Sequence, residues 1–373
     1  MPRMEQTKNR SLMDASRLLI EGAVQAGGEV FVGYPITPAN LLYAYSSARF
    51  PMMLPAPDEI STLQYMSGFS AAGKLPVTAT SFPGLALMVE SIGMAYMMEL
   101  PMVVILAQRM GPSTGTATCG AQGDIGLLGN INSGGYPVPT LCPSSFEDCF
   151  DLSARAVQLA VELRTPVFLL TSKEMVMTLK SFDLSTLKKV EKVNKNWYEG
   201  EKYIPYKPEE NGVPRFLPTG SPDHQVRITA STHNENAVLQ HSTPEALANS
   251  ARLKYKMEHN LSAYALYDLD EQQGADTLVF SYGITAAAAR EAVCTMRKMG
   301  SSVSILTAKT LFPVLPEYLE ITKRYRKVVL AEENLSGQYR EILFGRNGRE
   351  GVSGVNCIGR LITPEEIIEE VSK

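Results

Sequence analysis

EVFVGYPITP, residues 29–38, runs from a short apolar stretch into a loop in which two prolines flank a threonine. The same layout, an apolar run followed by a loop and a helical stretch, recurs along the first half of the chain. Parallel strands have continuous apolar runs because helices cover both faces of their sheet. The repetition therefore predicts an α/β fold with right-handed crossovers. The predicted strands are 29–34, 76–80, 101–107 and 165–171, and the predicted helices are 38–49, 59–73, 84–99 and 146–164.

A second α/β unit is predicted from about Ala275 onward. ADTLVFSYG, SSVSILTAKTL and RKVVLAEEN have the composition of strands, and a helical stretch between the first two ends at Gly300. Before this unit the chain is charged and rich in proline and glycine, which predicts an extended linker that wraps over other surfaces. We therefore divide the chain into a first domain at 1–195, a linker at 196–262 and a second domain at 263–373.

The composition excludes several classes of protein. Hydrophobic residues make up 45% of the 373 residues, charged residues 20%, and the formal net charge is −4, so no basic excess indicates nucleic acid binding. No apolar run is long enough to cross a bilayer, and the N-terminal segment lacks the features of a signal peptide, so we expect a cytoplasmic protein without membrane contact. The five cysteines contain no CxxC pair, which predicts reduced thiols, mostly buried, and no metal ligands in this chain.

Three loops follow directly on predicted strands: YPITP (34–38), ATSFPG (79–84) and QRMGPSTG (108–115). Ligands of open α/β sheets bind at the carboxyl ends of the strands. We therefore expect these loops to meet at one edge of the sheet and to form a binding site there.

The first loop presents Thr37 between Pro35 and Pro38, which restrict the backbone on either side. Its hydroxyl is then a candidate ligand-binding group. The alternative is a plain strand–helix connection, with Thr37 as the N-cap and Pro38 as the first helical residue.

The third loop carries Arg109, which follows a rigid strand and whose planar guanidinium suits a carboxylate or a phosphate. Ser113 and Thr114 add hydroxyl and backbone donors. The alternative is a structural arginine that pairs with a nearby acid such as Asp124.

The acid pair Asp58-Glu59 precedes a helical stretch, where acids complement the helix dipole. On the residues alone, a solvated role at the helix start is favoured for both.

Taken together, these motifs resemble the α subunit of the 2-oxoacid:ferredoxin oxidoreductases, and within that family the 2-oxoglutarate branch. They follow the family order along nearly the whole chain: GYPITP (33–38), DEI (58–60), TATSFPGLALM (78–88), ELP (99–101), RMGPSTG (109–115), QGD (122–124), THNENAV (232–238), RLKYK (252–256), ADTLVFSYGIT (275–285) and EENLSGQ (332–338).

The resemblance implies a pyrimidine-type thiamine diphosphate-binding domain followed by a transketolase C-terminal-like domain. It also implies a reaction in which a 2-oxoacid, coenzyme A and oxidised ferredoxin give an acyl-CoA, carbon dioxide and reduced ferredoxin, or the reverse.

The resemblance further implies roles for individual residues. Glu59 matches the carboxyl group that binds the aminopyrimidine ring nitrogen of the cofactor, and Arg109 matches the arginine that holds the substrate carboxylate. Phe69, Phe82 and Cys119 depart from the family pattern, and they leave the choice of oxoacid open. The remaining matches are Tyr34, Pro35, Ile36 and Thr37 beside the cofactor, with Thr37, Ser113, Thr114 and Thr118 beside the substrate.

The sequence has no GDG…N-type motif for the diphosphate and its Mg²⁺. The resemblance therefore implies a separate β subunit that holds the diphosphate, Mg²⁺ and a 4Fe–4S cluster, with ferredoxin as electron partner. It implies a dimer of heterodimers, in which a γ subunit is a separate polypeptide or absent. Two alternatives are a subunit of a non-oxidative thiamine-dependent decarboxylase and a non-catalytic assembly subunit.

Overall fold

The computed structural model describes residues 9–195 and 197–373. Residues 1–8, which the sequence assigns to the first domain and to an N-terminal segment without a signal peptide, lie outside the described residues, as does Asn196, the first linker residue. No helix in the described ranges is long and apolar enough to cross a membrane.

The described residues form strands and helices that alternate through much of the chain. The strands are β1 Arg10–Met13, β2 Val30–Gly33, β3 Met52–Pro55, β4 Pro76–Thr80, β5 Met102–Gln108, β6 Thr140–Leu141, β7 Pro166–Ser172, β8 Lys180–Asp183, β9 Tyr267–Asp270, β10 Thr277–Tyr282, β11 Val303–Ala308, β12 Thr310–Phe312, β13 Lys327–Glu332 and β14 Val352–Asn356. The helices are α1 Ala15–Ala26, α2 Asn40–Arg49, α3 Glu59–Ala71, α4 Phe82–Met97, α5 Ile125–Gly129, α6 Phe146–Leu163, α7 Lys173–Met177, α8 Pro244–His259, α9 Ala286–Lys298, α10 Pro316–Lys323, α11 Gln338–Phe344 and α12 Pro364–Ser372.

The first unit is built on a seven-stranded sheet in the order β12-β6-β7-β5-β4-β2-β3. Val103 and Ile105 pack with residues of α1 and α6, whereas Val104 and Leu106 pack with residues of α3 and α4. Both faces of β5 are therefore covered, which explains its unbroken apolar run. The four strands and four helices predicted for this unit are present, with ends that differ by at most two residues. The elements of this unit that were not predicted are β1, α1, β3, α5, β6, α7 and β8.

The second unit is a five-stranded sheet in the order β14-β13-β10-β11-β9, in which β9 alone runs antiparallel to its neighbour. The three strands and the helix predicted for this unit are present as β10, β11, β13 and α9. The strand β12, which follows β11 in the chain, leaves this sheet and pairs with β6 at the edge of the seven-stranded sheet. The second unit therefore extends the sheet of the first unit, in addition to packing against it.

The region between the units is irregular up to Ser242, as the composition predicts, but the prediction of an extended linker is wrong for α8. Thr243 caps this helix through Ala246 N–H, and a proline occupies its first turn. Arg252 and Lys256 on its buried face form ion pairs with Glu99 at the end of α4. The ELP and RLKYK motifs are thus two sides of one buried charge cluster.

Candidate active site

The loops after β2, β3, β4 and β5 meet at one edge of the first sheet. These strands are neighbours in the order β5-β4-β2-β3, and all are parallel, so their carboxyl ends lie side by side. The clustering expected from the sequence pattern is therefore confirmed.

After β3, the two neighbouring acids have different environments. Asp58 is the N-cap of α3, and its carboxylate accepts a 2.6 Å hydrogen bond from Ser61 N–H, which lowers the pKa of Asp58. Glu59 is buried, with 7% of its surface exposed, and its carboxylate has no hydrogen-bond or ion-pair partner among the described residues. The interpretation of a solvated helix-start acid fits Asp58 and is wrong for Glu59.

The space beside the Glu59 carboxylate depends on Gly84 in the first turn of α4. A Cβ at this position would lie 2.7 Å from Glu59 Cγ and 2.8 Å from its Oε1. The same atom would lie 2.2 Å from Thr80 Oγ1 at the end of β4. Any larger residue at position 84 therefore has to displace the carboxylate or the hydroxyl.

After β5, Arg109 is 7% exposed and donates a 2.7 Å hydrogen bond from Nη1 to the Thr37 carbonyl. Its Nε has no partner, and no acid of the described chain lies within ion-pair distance. The alternative of a structural pair with Asp124 is therefore wrong. Burial raises the pKa of Asp124 to about 7, and the Arg109 charge only partly offsets this rise.

After β2, the loop from Tyr34 to Thr37 leads into α2. This helix begins at Asn40 with Ala39 as its N-cap, so the interpretation of Thr37 as the N-cap is wrong. Thr37 is half-buried and Tyr34 is 40% exposed; Pro35 is exposed and Ile36 half-buried. The hydrogen bond from Arg109 to the Thr37 carbonyl ties this loop to the loop after β5.

The loop after β5 folds back on itself before it reaches the second unit. Met110 and Thr116 form an antiparallel bridge, and Met110 N–H also donates to the Cys119 carbonyl at 2.8 Å. Gly115 has φ 49°, and a Cβ there would lie 1.6 Å from the Met110 carbonyl oxygen, so this tight turn requires glycine. The turn presents Ser113, Thr114 and Thr118 as exposed side chains.

The structure thus brings the sequence-predicted residues to one edge, but in two layers. Glu59 and Arg109 are buried behind the edge, whereas Tyr34, Ser113 and Thr118 lie on the exposed side. Thr80 and Gly84 belong to the TATSFPGLALM motif, and the only signal for them in the sequence is their place at the end of a buried strand.

In the part of the chain that the structure describes, no group of three or more His, Cys, Asp or Glu side chains is arranged to hold a metal ion. All five cysteines are free, and Cys142, Cys149 and Cys357 are buried.

Comparison with known proteins gives consistent results along the chain. The profile of the family described as pyruvate flavodoxin/ferredoxin oxidoreductase, thiamine diphosphate-binding, matches residues 21–252. The 2-oxoglutarate synthase subunit KorA of Methanocaldococcus jannaschii is 31% identical over 95% of this chain and 97% of that protein. The subunit of the same name from Methanothermobacter thermautotrophicus is 30% identical over 94% of this chain and 95% of that protein. The ketoisovalerate oxidoreductase subunit VorB of M. thermautotrophicus is 28% identical over 96% of both chains.

Solved structures extend the likeness to the whole fold. The 2-oxoglutarate:ferredoxin oxidoreductase of Magnetococcus marinus, with 2-oxoglutarate, coenzyme A and succinyl-CoA bound, has a TM-score of 0.90 at 27% identity and matches 99% of this chain. This chain spans 66%, about two thirds, of the length of the Magnetococcus chain. A split-gene transketolase has a TM-score of 0.57 at 14% identity and shares the fold alone.

Proposed function

Because this chain belongs to the thiamine diphosphate-binding family of pyruvate flavodoxin/ferredoxin oxidoreductases, we propose that it is the α subunit of a 2-oxoacid:ferredoxin oxidoreductase. The proposed substrate is 2-oxoglutarate. The two KorA relatives are named as subunits of 2-oxoglutarate synthase, and the Magnetococcus structure has 2-oxoglutarate bound. The reaction converts 2-oxoglutarate, coenzyme A and two oxidised ferredoxins into succinyl-CoA, carbon dioxide, a proton and two reduced ferredoxins.

One observation carries this proposal beyond the likeness. Glu59 and Arg109 are both at most 7% exposed, lie at the same sheet edge, and lack a partner of opposite charge among the described residues. Buried ionisable groups are normally paired, because desolvation of an unpaired charge is costly. Such an arrangement is typical of a binding site, in which the bound ligands supply the missing polar or charged partners of the buried groups.

Glu59 fits the proposed cofactor role. Its free carboxyl oxygens lie in space kept open by Gly84, and the start of α3 favours negative charge there. In this role Glu59 would hold a proton at the aminopyrimidine ring nitrogen, while Tyr34, Pro35, Ile36 and Thr37 line the ring. Thiamine diphosphate, when bound, supplies the carbon nucleophile for the oxoacid carbonyl, chemistry that no side chain of the protein offers.

Arg109 fits the capture of the substrate carboxylate. Its Nη1 is held by the Thr37 carbonyl, which fixes the guanidinium, and its Nε remains free to donate. A planar fork held in this way binds a carboxylate in a defined orientation. The exposed hydroxyls of Ser113, Thr114 and Thr118 would then surround the rest of the oxoacid.

The exposed half of the site supports a split active centre. We infer that a β subunit covers the loops after β2 and β5 and holds the diphosphate, Mg²⁺ and a 4Fe–4S cluster that passes electrons to ferredoxin. The first domain (1–195) would contribute the residues above, the linker (196–262) and second domain (263–373) would support them, and the enzyme would be a dimer of heterodimers with or without a γ subunit.

The test uses the enzyme purified with its natural partners under anaerobic conditions. We expect coenzyme A-dependent reduction of ferredoxin or a viologen with 2-oxoglutarate, and slower reduction with 3-methyl-2-oxobutanoate. Glu59→Gln keeps the shape of the side chain but not its proton-transfer chemistry, so turnover should fall by about 10²-fold or more.

Glu90→Gln is the matched control, because Glu90 is an exposed acid on α4. Its turnover should equal that of the wild type. Near-normal turnover of the Glu59→Gln enzyme contradicts the role of Glu59, and tight binding of thiamine diphosphate by the isolated chain contradicts the split centre.

A further inference from the structure

The loop that carries Arg109 and Thr118 ends in QGD (122–124), and this end is buried against the second unit. Gln122 makes five hydrogen bonds there. Its N–H donates to the Glu333 carbonyl at 2.8 Å, and its Nε2 donates to the Tyr282 carbonyl at 3.0 Å. Its Oε1 accepts from Glu333 N–H at 2.8 Å and from Thr285 Oγ1 at 2.9 Å. The fifth bond comes from Asn334 Nδ2, which donates to the Gln122 carbonyl at 3.1 Å.

A second amide side chain holds the residues on either side of Asp124. Gln338, the first residue of α11, donates from Nε2 to the Gly123 carbonyl at 3.0 Å. Its Oε1 accepts from Gly126 N–H at 2.9 Å. The QGD motif of the first unit and the EENLSGQ motif of the second are therefore one hydrogen-bonded junction, formed across more than two hundred residues of sequence.

We call the loop after β5, residues 109–124, the substrate loop. Besides the Arg109 contact with Thr37, it is held at three places in the described chain, and this junction is the third. The first is the end of β5, which Arg109 follows directly, and the second is Glu174 Oε1, which accepts from Gly120 N–H at 2.9 Å. Both of these belong to the first unit. Residues 112–118 between the anchors are mostly exposed, so the position of the loop depends on its ends.

We propose that Gln122, Asn334 and Gln338 are positioning residues for the oxoacid, through which the second unit sets the place of the substrate loop. This inference rests on the proposed function, since it takes the loop to hold the oxoacid. Amides suit the task because they do not ionise, although the junction also contains the buried carboxyl groups of Asp124 and Glu333. A displacement of about 1 Å in a substrate-holding group is enough to lower reaction efficiency substantially.

Gln338→Ala is the sharpest test, because Gln338 is half-buried and its substitution leaves the core of the fold intact. Gln122 is fully buried, so its substitution could also disturb folding. In the assembled enzyme we expect the KM for the oxoacid to rise about tenfold, because a loop released at one end no longer holds its substrate-binding groups in place. The KM for coenzyme A and the melting temperature should change little. Hydrogen–deuterium exchange of the peptide covering 109–126 should increase.

Gln272→Ala is the matched control. Gln272 is also a half-buried glutamine of the second unit, but its Oε1 accepts from Val303 N–H at the other end of the sheet. It should alter neither the oxoacid KM nor exchange in 109–126. An active Gln338→Ala enzyme with unchanged KM and unchanged exchange overturns the inference alone. If the wild-type complex oxidises no oxoacid, the proposed function is overturned. Raised exchange in the Gln338→Ala complex would then still show that the junction holds the loop, but the loop could no longer be assigned to oxoacid binding.

Discussion

Glu99→Gln is expected to destabilise the chain far more than the removal of a surface charge. Glu99 is fully buried at the end of α4, with φ 53°. Its carboxylate accepts from Lys256 Nζ at 2.8 Å and forms a bidentate pair with Arg252. Both cations belong to α8, so the carboxylate binds the linker helix to the first unit.

The size of the effect follows from what the substitution leaves behind. A neutral amide at position 99 keeps the volume but leaves two buried cations without a counter-charge, and removing one partner of such a cluster costs about 3–5 kcal/mol. Burial lowers the pKa of Lys256 to about 8, even though the negative charge of Glu99 acts to raise it. Without the carboxylate this pKa falls further, so Lys256 is uncharged in the folded variant at lower pH. The loss of stability should therefore be largest near pH 6 and shrink as the pH rises toward 8.

The assay is chemical unfolding of the chain at pH 6, 7 and 8, with Glu21→Gln as control. Glu21 pairs with Arg49 at 2.8 Å, but both side chains are well exposed, with 29% and 50% of their surfaces accessible. Such a surface pair contributes about 0–1 kcal/mol. A cost below about 1 kcal/mol for Glu99→Gln, or a cost that grows with pH, refutes the reasoning.

Two further substitutions test the site and the junction. Gly84→Ala places a Cβ 2.8 Å from Glu59 Oε1 and 2.2 Å from Thr80 Oγ1. Turnover of the assembled enzyme should fall about tenfold or more, and the free energy of unfolding should fall by about 1–3 kcal/mol, because at least one of these side chains has to move; unchanged turnover of the folded variant means that the carboxylate position is not critical. Burial raises the pKa of Glu333 to about 7, so the folded state loses stability as the pH rises from about 4.5 to 7. Glu333→Gln removes this titration and should gain up to about 3 kcal/mol over the wild type at pH 7 but little at pH 4, as measured by unfolding at each pH; an equal difference at both pH values contradicts the assignment.

Much of the fold could be predicted from the sequence because most strands carry their own signal. The strands β2, β4, β5 and β7 are covered on both faces, and their apolar runs stand out from the loops that follow. The helix α8 does not stand out, because its buried face includes Asn249, Arg252 and Lys256. The negative charge that these cations pair with comes from the distant Glu99, and such a partner cannot be identified from local periodicity.

The candidate site was predictable in its location but not in its electrostatics. Strand-following loops indicated the sheet edge, and Arg109 was recognisable from its place after a rigid strand. The different environments of Asp58 and Glu59 were not, because helix-start acids are usually solvated. The burial of Glu59 depends on how close the start of α4 lies, and Gly84 sets that distance. The free state of Arg109 likewise depends on where Asp124 lies after a long loop.

The seam between the units explains why the substrate loop can be positioned from a distance. The strand β12 pairs with β6, and Cys142 N–H donates to the Lys309 carbonyl at 2.7 Å. Lys309 Nζ lies 2.8 Å from both Asp148 on α6 and Asp268 on β9, which joins the two units by charge as well as by backbone. A hinge at this seam would break the strand pairing, these ion pairs and the Gln122 hydrogen bonds together. Adjustment to different oxoacids is therefore expected in the exposed turn of residues 112–118, because that is the part of the loop that none of these contacts holds.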